Sequence, residues 1–129
     1  MSVNIVWFRR DLRLSDNPAL HNATQNGNPL IPLFILDEHT ANSGAAFKWR
    51  LGLSIESLSL DLEKHNSKLI LKKGNPLYVL KELRSSIGDF KIFWNRLYDE
   101  NSIKRDTEIK SYFKEQGVEV KSTEGLLLH

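Results

Sequence analysis

The 129-residue chain contains no cysteine. That excludes disulfides, thiolate metal centres and cysteine nucleophiles, and it fits a reducing compartment, so a cytoplasmic location is expected. Long apolar runs are also missing: nothing approaches the ~20 residues that span a bilayer. The opening apolar stretch, Val3–Phe8, is too short for the core of a signal peptide. Arg9-Arg10 is not followed by the apolar segment of a twin-arginine signal. Neither export nor a membrane partner is expected. Charge of one sign is scarce too. A net charge of +2 does not demand the concentrated basic face with which proteins grip duplex DNA.

Several catalytic and nucleotide-binding signatures are absent. No glycine-rich G-x-G-x-x-G turn follows the first apolar run, and no G-x-x-x-x-G-K-[ST] occurs anywhere, so the familiar pyrophosphate cradles do not apply. There is no H-E-x-x-H, and His21, His39, His65 and His129 are scattered, so no metal site is expected and each histidine reads as a surface residue. No Ser/His/Asp grouping has supporting local context. The chain alone therefore carries no self-contained catalytic constellation, and no catalytic residue is assigned.

What is present is a regular alternation of strand and helix over the length of one ordinary domain, 40% hydrophobic and 26% charged. Val3–Phe8 reads as a first strand. Asn17-Pro18 reads as the cap and first position of a helix ending near Gly27. Leu30–Leu36 is a second, almost wholly apolar strand, as buried parallel strands are. A helix from about Ala45 to His65, a strand Lys68–Lys72 and a helix from Gly74-Asn75-Pro76 to Arg84 follow. Lys91–Trp94 is a fourth strand. Asn101–Gln116 is a helix with Ile103, Ile109 and Phe113 on or near one face, closed by Gly117, and Val118–Lys121 is a fifth strand. Strands separated by helices predict an α/β domain over residues 1–129. The expected form is a Rossmann-like, doubly wound, five-stranded parallel sheet of order 3-2-1-4-5 with helices on both faces.

The long helix carries two apolar stripes. Leu51, Ile55, Leu58 and Leu62 suit a sheet face, while Trp49, Leu53 and Leu60 lie roughly 180° away. The second stripe is covered either by neighbouring loops or by a partner domain, and exposure of Trp49 separates the two readings.

Two charged constellations follow strand ends. After the first strand comes Arg9-Arg10-Asp11-Leu12-Arg13-Leu14-Ser15-Asp16-Asn17-Pro18. Junctions of this kind line the ligand crevice of open α/β sheets, so these charges are either neutralised by one another or used on a ligand. One reading is an Arg–Asp network tying the first strand to its following helix. The other is that an arginine holds an anionic or polar aromatic ligand. After the fourth strand comes Asn95-Arg96-Leu97-Tyr98-Asp99-Glu100-Asn101-Ser102-Ile103-Lys104-Arg105-Asp106. In the expected strand order this exit lies beside the first, at the switch point, so Arg10 and the 95–101 segment should face one crevice. Asp37, closing the second strand, and Lys48 are further candidates by position. Trp7 and Trp94 fall in core strands, where packing is their expected role.

The Trp7-Phe8-Arg9-Arg10-Asp11-Leu12-Arg13-Leu14 run, with Asp16-Asn17 behind it, resembles the opening of the DNA photolyase/cryptochrome family. Trp94-Asn95, Tyr98-Asp99 and Arg105-Asp106 resemble that family's W-N-x-x-Y-[DE] and following R-D pair. Gly74-Asn75-Pro76 resembles its G-[DN]-P turn, and Leu127-Leu128-His129 the L-L-H segment where its first domain ends. The resemblance implies the antenna-binding α/β domain of a deoxyribodipyrimidine photolyase, a lyase. The parent would repair UV-damaged DNA with FAD held in a helical C-terminal domain beyond this chain, which would itself be catalytically inactive and monomeric. It implies a light-harvesting chromophore of deazaflavin, folate or flavin type. In deazaflavin-binding members an arginine at Arg10 and an acidic residue near Asp99 contact it. In folate-binding members an Asn-Glu pair stands where this chain has Asn101-Ser102, and serine lacks the charged acceptor. Arg10, Asp37, Lys48, Asp99, Asn101 and Ser102 are thus the candidate cofactor-binding residues. A cryptochrome-type photoreceptor domain and a stand-alone nucleotide- or flavin-binding module are the alternatives.

Overall fold

The computed structural model describes residues 3–9, 12–15, 17–25, 27–37 and 42–123. Strands and helices alternate throughout: β1 (Val3–Phe8), α1 (Pro18–Ala23), β2 (Leu30–Leu36), α2 (Ala45–Lys64), β3 (Ile70–Lys73), α3 (Pro76–Ile87), β4 (Phe90–Asn95), α4 (Glu100–Glu115) and β5 (Val120–Thr123). The five strands form one parallel sheet in the order β3-β2-β1-β4-β5, the order expected from the sequence. β1 sits at the centre, with Ile5 opposite Ile31 of β2 on one side and Ile92 of β4 on the other.

Period-two alternation gives each sheet face its own core. Ile5, Trp7, Leu33, Ile35, Ile92 and Trp94 point to the face covered by α3 and α4. Val6, Phe8, Phe34 and Phe93 point to the face covered by α1 and α2. Three helix starts are specified locally. Asn17 Oδ1 accepts from Leu20 N at 3.2 Å, Asn75 Oδ1 from Leu77 N at 2.9 Å and Asp99 Oδ2 from Ser102 N at 3.1 Å. Each satisfies an otherwise orphaned N–H and contributes about 1 kcal/mol. Proline at the first position of α1 and α3 adds a preset φ. Gly117, at φ 76°, turns the chain out of α4 in a conformation that costs a side-chain-bearing residue about 1–2 kcal/mol.

Some boundaries differ from expectation for visible reasons. α1 stops at Ala23, short of Gly27, because Thr24 N and Gln25 N bond to His21 O and Asn22 O, three residues back, tightening the chain out of the helix. β5 starts at Val120 rather than Val118 because Val118 N is still bonded to Phe113 O at 2.8 Å, closing α4. On α4, Ile103 is exposed rather than grouped with Ile109 and Phe113. Six residues of helix carry it about 120° round from Ile109. The buried stripe is Ser102, Asp106, Ile109 and Phe113, polar at one end and apolar at the other.

α2 buries Leu58 and Leu62 and half-buries Leu51 and Ile55 against the sheet. Each fully buried leucine contributes roughly 1.5–3 kcal/mol. Its other stripe faces solvent: Trp49 is 68% exposed, and Leu53 and Leu60 are exposed with it, so the described loops do not cover it.

Candidate functional site

Arg9, the first charge after β1, turns inward. Its Nη1 donates to both carboxylate oxygens of Asp106 on α4, at 2.6 and 2.7 Å, and its Nη2 donates to the carbonyl of Asn95. It lies 4.9 Å from the centre of the Trp7 ring and 5.6 Å from that of Trp94, two indoles that themselves meet edge to face at 5.4 Å. The network reading of this constellation is therefore correct for Arg9. It ties β1 to β4 and α4, however, rather than to the helix that follows in sequence. Long-range pairing of this kind is set by the sheet order and leaves no trace in local spacing.

Asn95 is the second buried polar hub. Its Oδ1 accepts from Ala19 N at 2.9 Å and from the Thr123 hydroxyl at 2.7 Å, and its Nδ2 donates to Asn17 Oδ1 at 2.7 Å. One amide thus joins α1, β4 and β5, and its hydrogen bonding is turned into the protein rather than toward a ligand.

Above these hubs, outside the carboxyl ends of β1 and β2, a crevice of about 860 Å³ opens between the first half of α2 and the start of α4. This is where open α/β sheets bind ligands, and its size is that of a cofactor site. Its floor and walls are apolar and largely aromatic: Trp7, Phe8, Phe34, Phe47, Leu51 and Leu97. Its polar rim includes Asp37, Arg50, Ser54, Asp99, Asn101 and Arg105. Asp37 Oδ2 accepts from Arg105 Nη1 at 3.0 Å, so the end of β2 is bridged to α4 across the crevice. Arg105 also lies 5.5 Å from the Trp7 ring centre.

Of the residues expected at the site, Asp37, Asp99, Asn101 and Ser102 are brought together in this crevice. Asp99 also caps α4, and Ser102 is buried against its wall. Lys48 is exposed on the first turn of α2 and does not line the crevice. Arg10, like Asp11, Asp16 and the 124–129 segment, lies outside the described residues. Sequence reasoning missed the contribution of α2. Phe47, Arg50, Leu51 and Ser54 share one face at helical spacing, and that periodicity was the available signal. Arg105 was visible only as half of an Arg-Asp pair; that its closer carboxylate partner is Asp37, at 3.0 Å, with the neighbouring Asp106 at 3.9 Å, depends on tertiary structure.

The lining contains neither histidine nor cysteine among the described residues, and its titratable groups are aspartates and arginines. It can sandwich a flat, apolar ring system and hydrogen-bond donors and acceptors along the ring's edge, so the residues present fit an aromatic heterocyclic cofactor.

Known proteins match the chain in sequence and in fold. The DNA photolyase family profile matches residues 4–129. The deoxyribodipyrimidine photo-lyase of Agrobacterium fabrum is 41% identical over 97% of this chain and 26% of its own length. Cryptochrome-2 of Arabidopsis thaliana is 37% identical over 97% of this chain and 21% of its own length. The chain thus spans about a quarter of the curated relatives it matches. Among solved structures, a bacterial class III photolyase from Agrobacterium tumefaciens superposes with a TM-score of 0.91 at 39% identity, over 99% of this chain and 27% of that one. An archaeal photolyase from Sulfolobus tokodaii, solved with two FAD molecules that implied a novel light-harvesting cofactor, superposes with a TM-score of 0.81 at 32% identity, over 95% and 29% of the two chains. Matched in sequence and fold over nearly its whole length, the chain belongs to the DNA photolyase family.

Proposed function

We propose that this domain holds a light-harvesting chromophore in the crevice and serves as the N-terminal antenna domain of a deoxyribodipyrimidine photolyase. In that reading a further, helical domain of the parent protein holds FAD and the UV-damaged DNA, and the present chain performs no chemistry alone. The lack of cysteine supports a cytoplasmic setting. The observation that carries the reading is the crevice itself: an aromatic floor with a polar rim at the sheet's switch point. When bound, the chromophore supplies absorption of light and passes on the excitation; the protein holds and orients it. Trp7, Phe8 and Phe34 give the ring an apolar floor. Arg105 and Asp37 fix each other and present a donor and an acceptor to its edge, while Asn101, exposed at the start of α4, offers an amide. A flavin-type occupant is supported by the likeness to the archaeal photolyase with two FAD molecules. Asp99 supports a deazaflavin. The serine at 102, buried and without a carboxylate, argues against a folate.

The test is to incubate the purified chain separately with FAD, a deazaflavin and methenyltetrahydrofolate, remove unbound material by gel filtration, and record the absorption of the protein fraction. Stoichiometric retention of one chromophore is expected. A folded chain that retains none of the three would overturn the reading. The likeness to a plant cryptochrome supports a second reading, an antenna domain of a photoreceptor. Light-driven splitting of pyrimidine dimers by the longer parent separates the two.

A further inference from the structure

A second hollow, of about 240 Å³, lies on the other side of the 96–98 loop, between α4 and the outer strands β4 and β5. Its polar lining has an unusual feature: Lys110 Nζ and Arg96 Nε both donate to the same atom, Ser122 Oγ, at 2.5 and 3.1 Å. Two cations are thereby held on one neutral hydroxyl. Among the described residues, no carboxylate lies within salt-bridge distance of either. The nearby acid, Asp106, is engaged by Arg9. Its charge raises the Lys110 pKa, yet burial first and then the charge of Arg96 hold the ammonium below its ordinary value.

Hydrogen-bond accounting sharpens this. Two incoming donors fill both lone pairs of the Ser122 hydroxyl, which leaves it only a proton to offer. Lys110 and Arg96 each keep further N–H groups. The Thr107 hydroxyl is committed to the Ile103 carbonyl at 2.7 Å. Trp94, wholly buried, forms part of the wall, and its indole N–H has no hydrogen-bond partner among the described residues. Apart from the Asp106 carboxylate, which also lines it and is engaged by Arg9, the hollow is rich in donors drawn from three kinds of side chain and poor in acceptors. A planar carboxylate would occupy few of them, whereas a tetrahedral oxyanion presents several oxygens to donors arriving from different directions.

We propose that this hollow is a phosphate-binding site, held by Arg96, Lys110 and Ser122 and independent of the chromophore reading. The phosphate is either that of a small molecule or that of a nucleic-acid backbone, and one experiment distinguishes them. The chain, labelled with nitrogen-15, is titrated with inorganic phosphate at constant ionic strength maintained with sodium chloride. The indole N–H signals of its tryptophans are followed, that of solvent-facing Trp49 serving as the internal control. A saturable shift at Trp94 is expected, with none at Trp49. Arg96→Gln and Lys110→Gln should each weaken binding about tenfold, and Lys110→Arg should retain it, which guards against a variant lost to misfolding. Repeating the titration with a short oligothymidylate and with a mononucleotide identifies the source. Tighter binding of the oligomer that depends on both cations assigns a nucleic-acid backbone; preference for the mononucleotide or free phosphate assigns a small molecule. No saturable shift, a shift that survives in the Arg96→Gln/Lys110→Gln double variant, or acetate binding as tightly as phosphate overturns the proposal.

Discussion

Two guanidinium–carboxylate pairs stand at the carboxyl edge of this sheet, both anchored on α4, and they differ in almost every physical respect. In Arg9–Asp106 one guanidinium nitrogen reaches both carboxylate oxygens; the side chains are 5% and 11% exposed, and the pair lies beside two indoles at the base of the crevice. Arg105–Asp37 makes a single contact at 3.0 Å, with side chains 30% and 22% exposed, and forms part of the crevice rim. The same chemical pairing is thus used twice within two consecutive residues of α4. Asp106 looks into the core and Arg105 into the crevice. A deeply buried pair cannot be broken without leaving an uncompensated charge in a poor solvent, whereas a rim pair exchanges its partner for water or ligand at little cost. Burial, not charge or sequence position, separates the group that holds the fold from the group that can hold a ligand.

The sharpest way to break this comparison is to remove one carboxylate from each pair. Asp106→Ala leaves the Arg9 guanidinium buried without its carboxylate partner. It should destabilise the domain by about 3–5 kcal/mol, read as a lowered midpoint in urea unfolding. A loss below about 1 kcal/mol would mean that solvent reaches Arg9 and that the two pairs are equivalent.

The rim pair should respond in the opposite pattern. Arg105→Ala and Asp37→Asn should each cost less than about 1 kcal/mol of stability, yet weaken retention of the antenna chromophore by about tenfold as a charge-assisted contact is lost. Unfolding curves and a chromophore titration on the same preparations check both halves. Unchanged retention with unchanged stability would leave the rim pair an ordinary surface contact. The crevice would then depend on its aromatic floor alone.

How far this division could be read in the sequence depended on which side of it a residue fell. The strands were legible because β1 and β2 are unbroken apolar runs flanked by polar residues, and the strand–helix alternation implied the sheet order that makes the crevice. Asp37, Asp99 and Asn101 were legible as crevice residues because each follows a strand end near the switch point, and Ser102 through the family resemblance. The face of α2 that lines the crevice was not. Both of its stripes are apolar, and only the packed sheet decides that Phe47 and Leu51 meet the crevice while Trp49 meets solvent. Arg9 was ambiguous for a related reason: its partners lie 86 and 97 residues away in sequence. On α4, a buried stripe that begins with serine and aspartate looks like a solvated face until the guanidinium beneath it is placed.

A third ion pair marks the lower limit of the comparison. Glu119, just before β5, accepts from Lys91 Nζ of β4 at 3.1 Å and lies 3.5 Å from Lys121 Nζ, with its side chain 45% exposed. The hydrogen bond from Lys91 chiefly, assisted by the two lysine charges, holds the Glu119 carboxyl below its ordinary value of 4.5. A carboxylate whose pKa falls on folding binds protons more readily in the unfolded chain. Its stabilisation is therefore present above the unfolded value and lost as the pH drops through the folded one. Solvent screens so exposed a group, which limits the contribution to about 0.5 kcal/mol. Glu119→Gln should lower the melting temperature slightly at pH 7 in low salt, and the difference should vanish both in acid, once the pH has fallen through the lowered folded value, and in molar salt, where the Debye length shrinks to about 3 Å. A deficit that persists under acid or salt would show that Glu119 acts through packing between β4 and β5 rather than through charge. The gradient from buried pair to rim pair to surface pair would then have to be drawn by contact area instead of by solvent access to the ions.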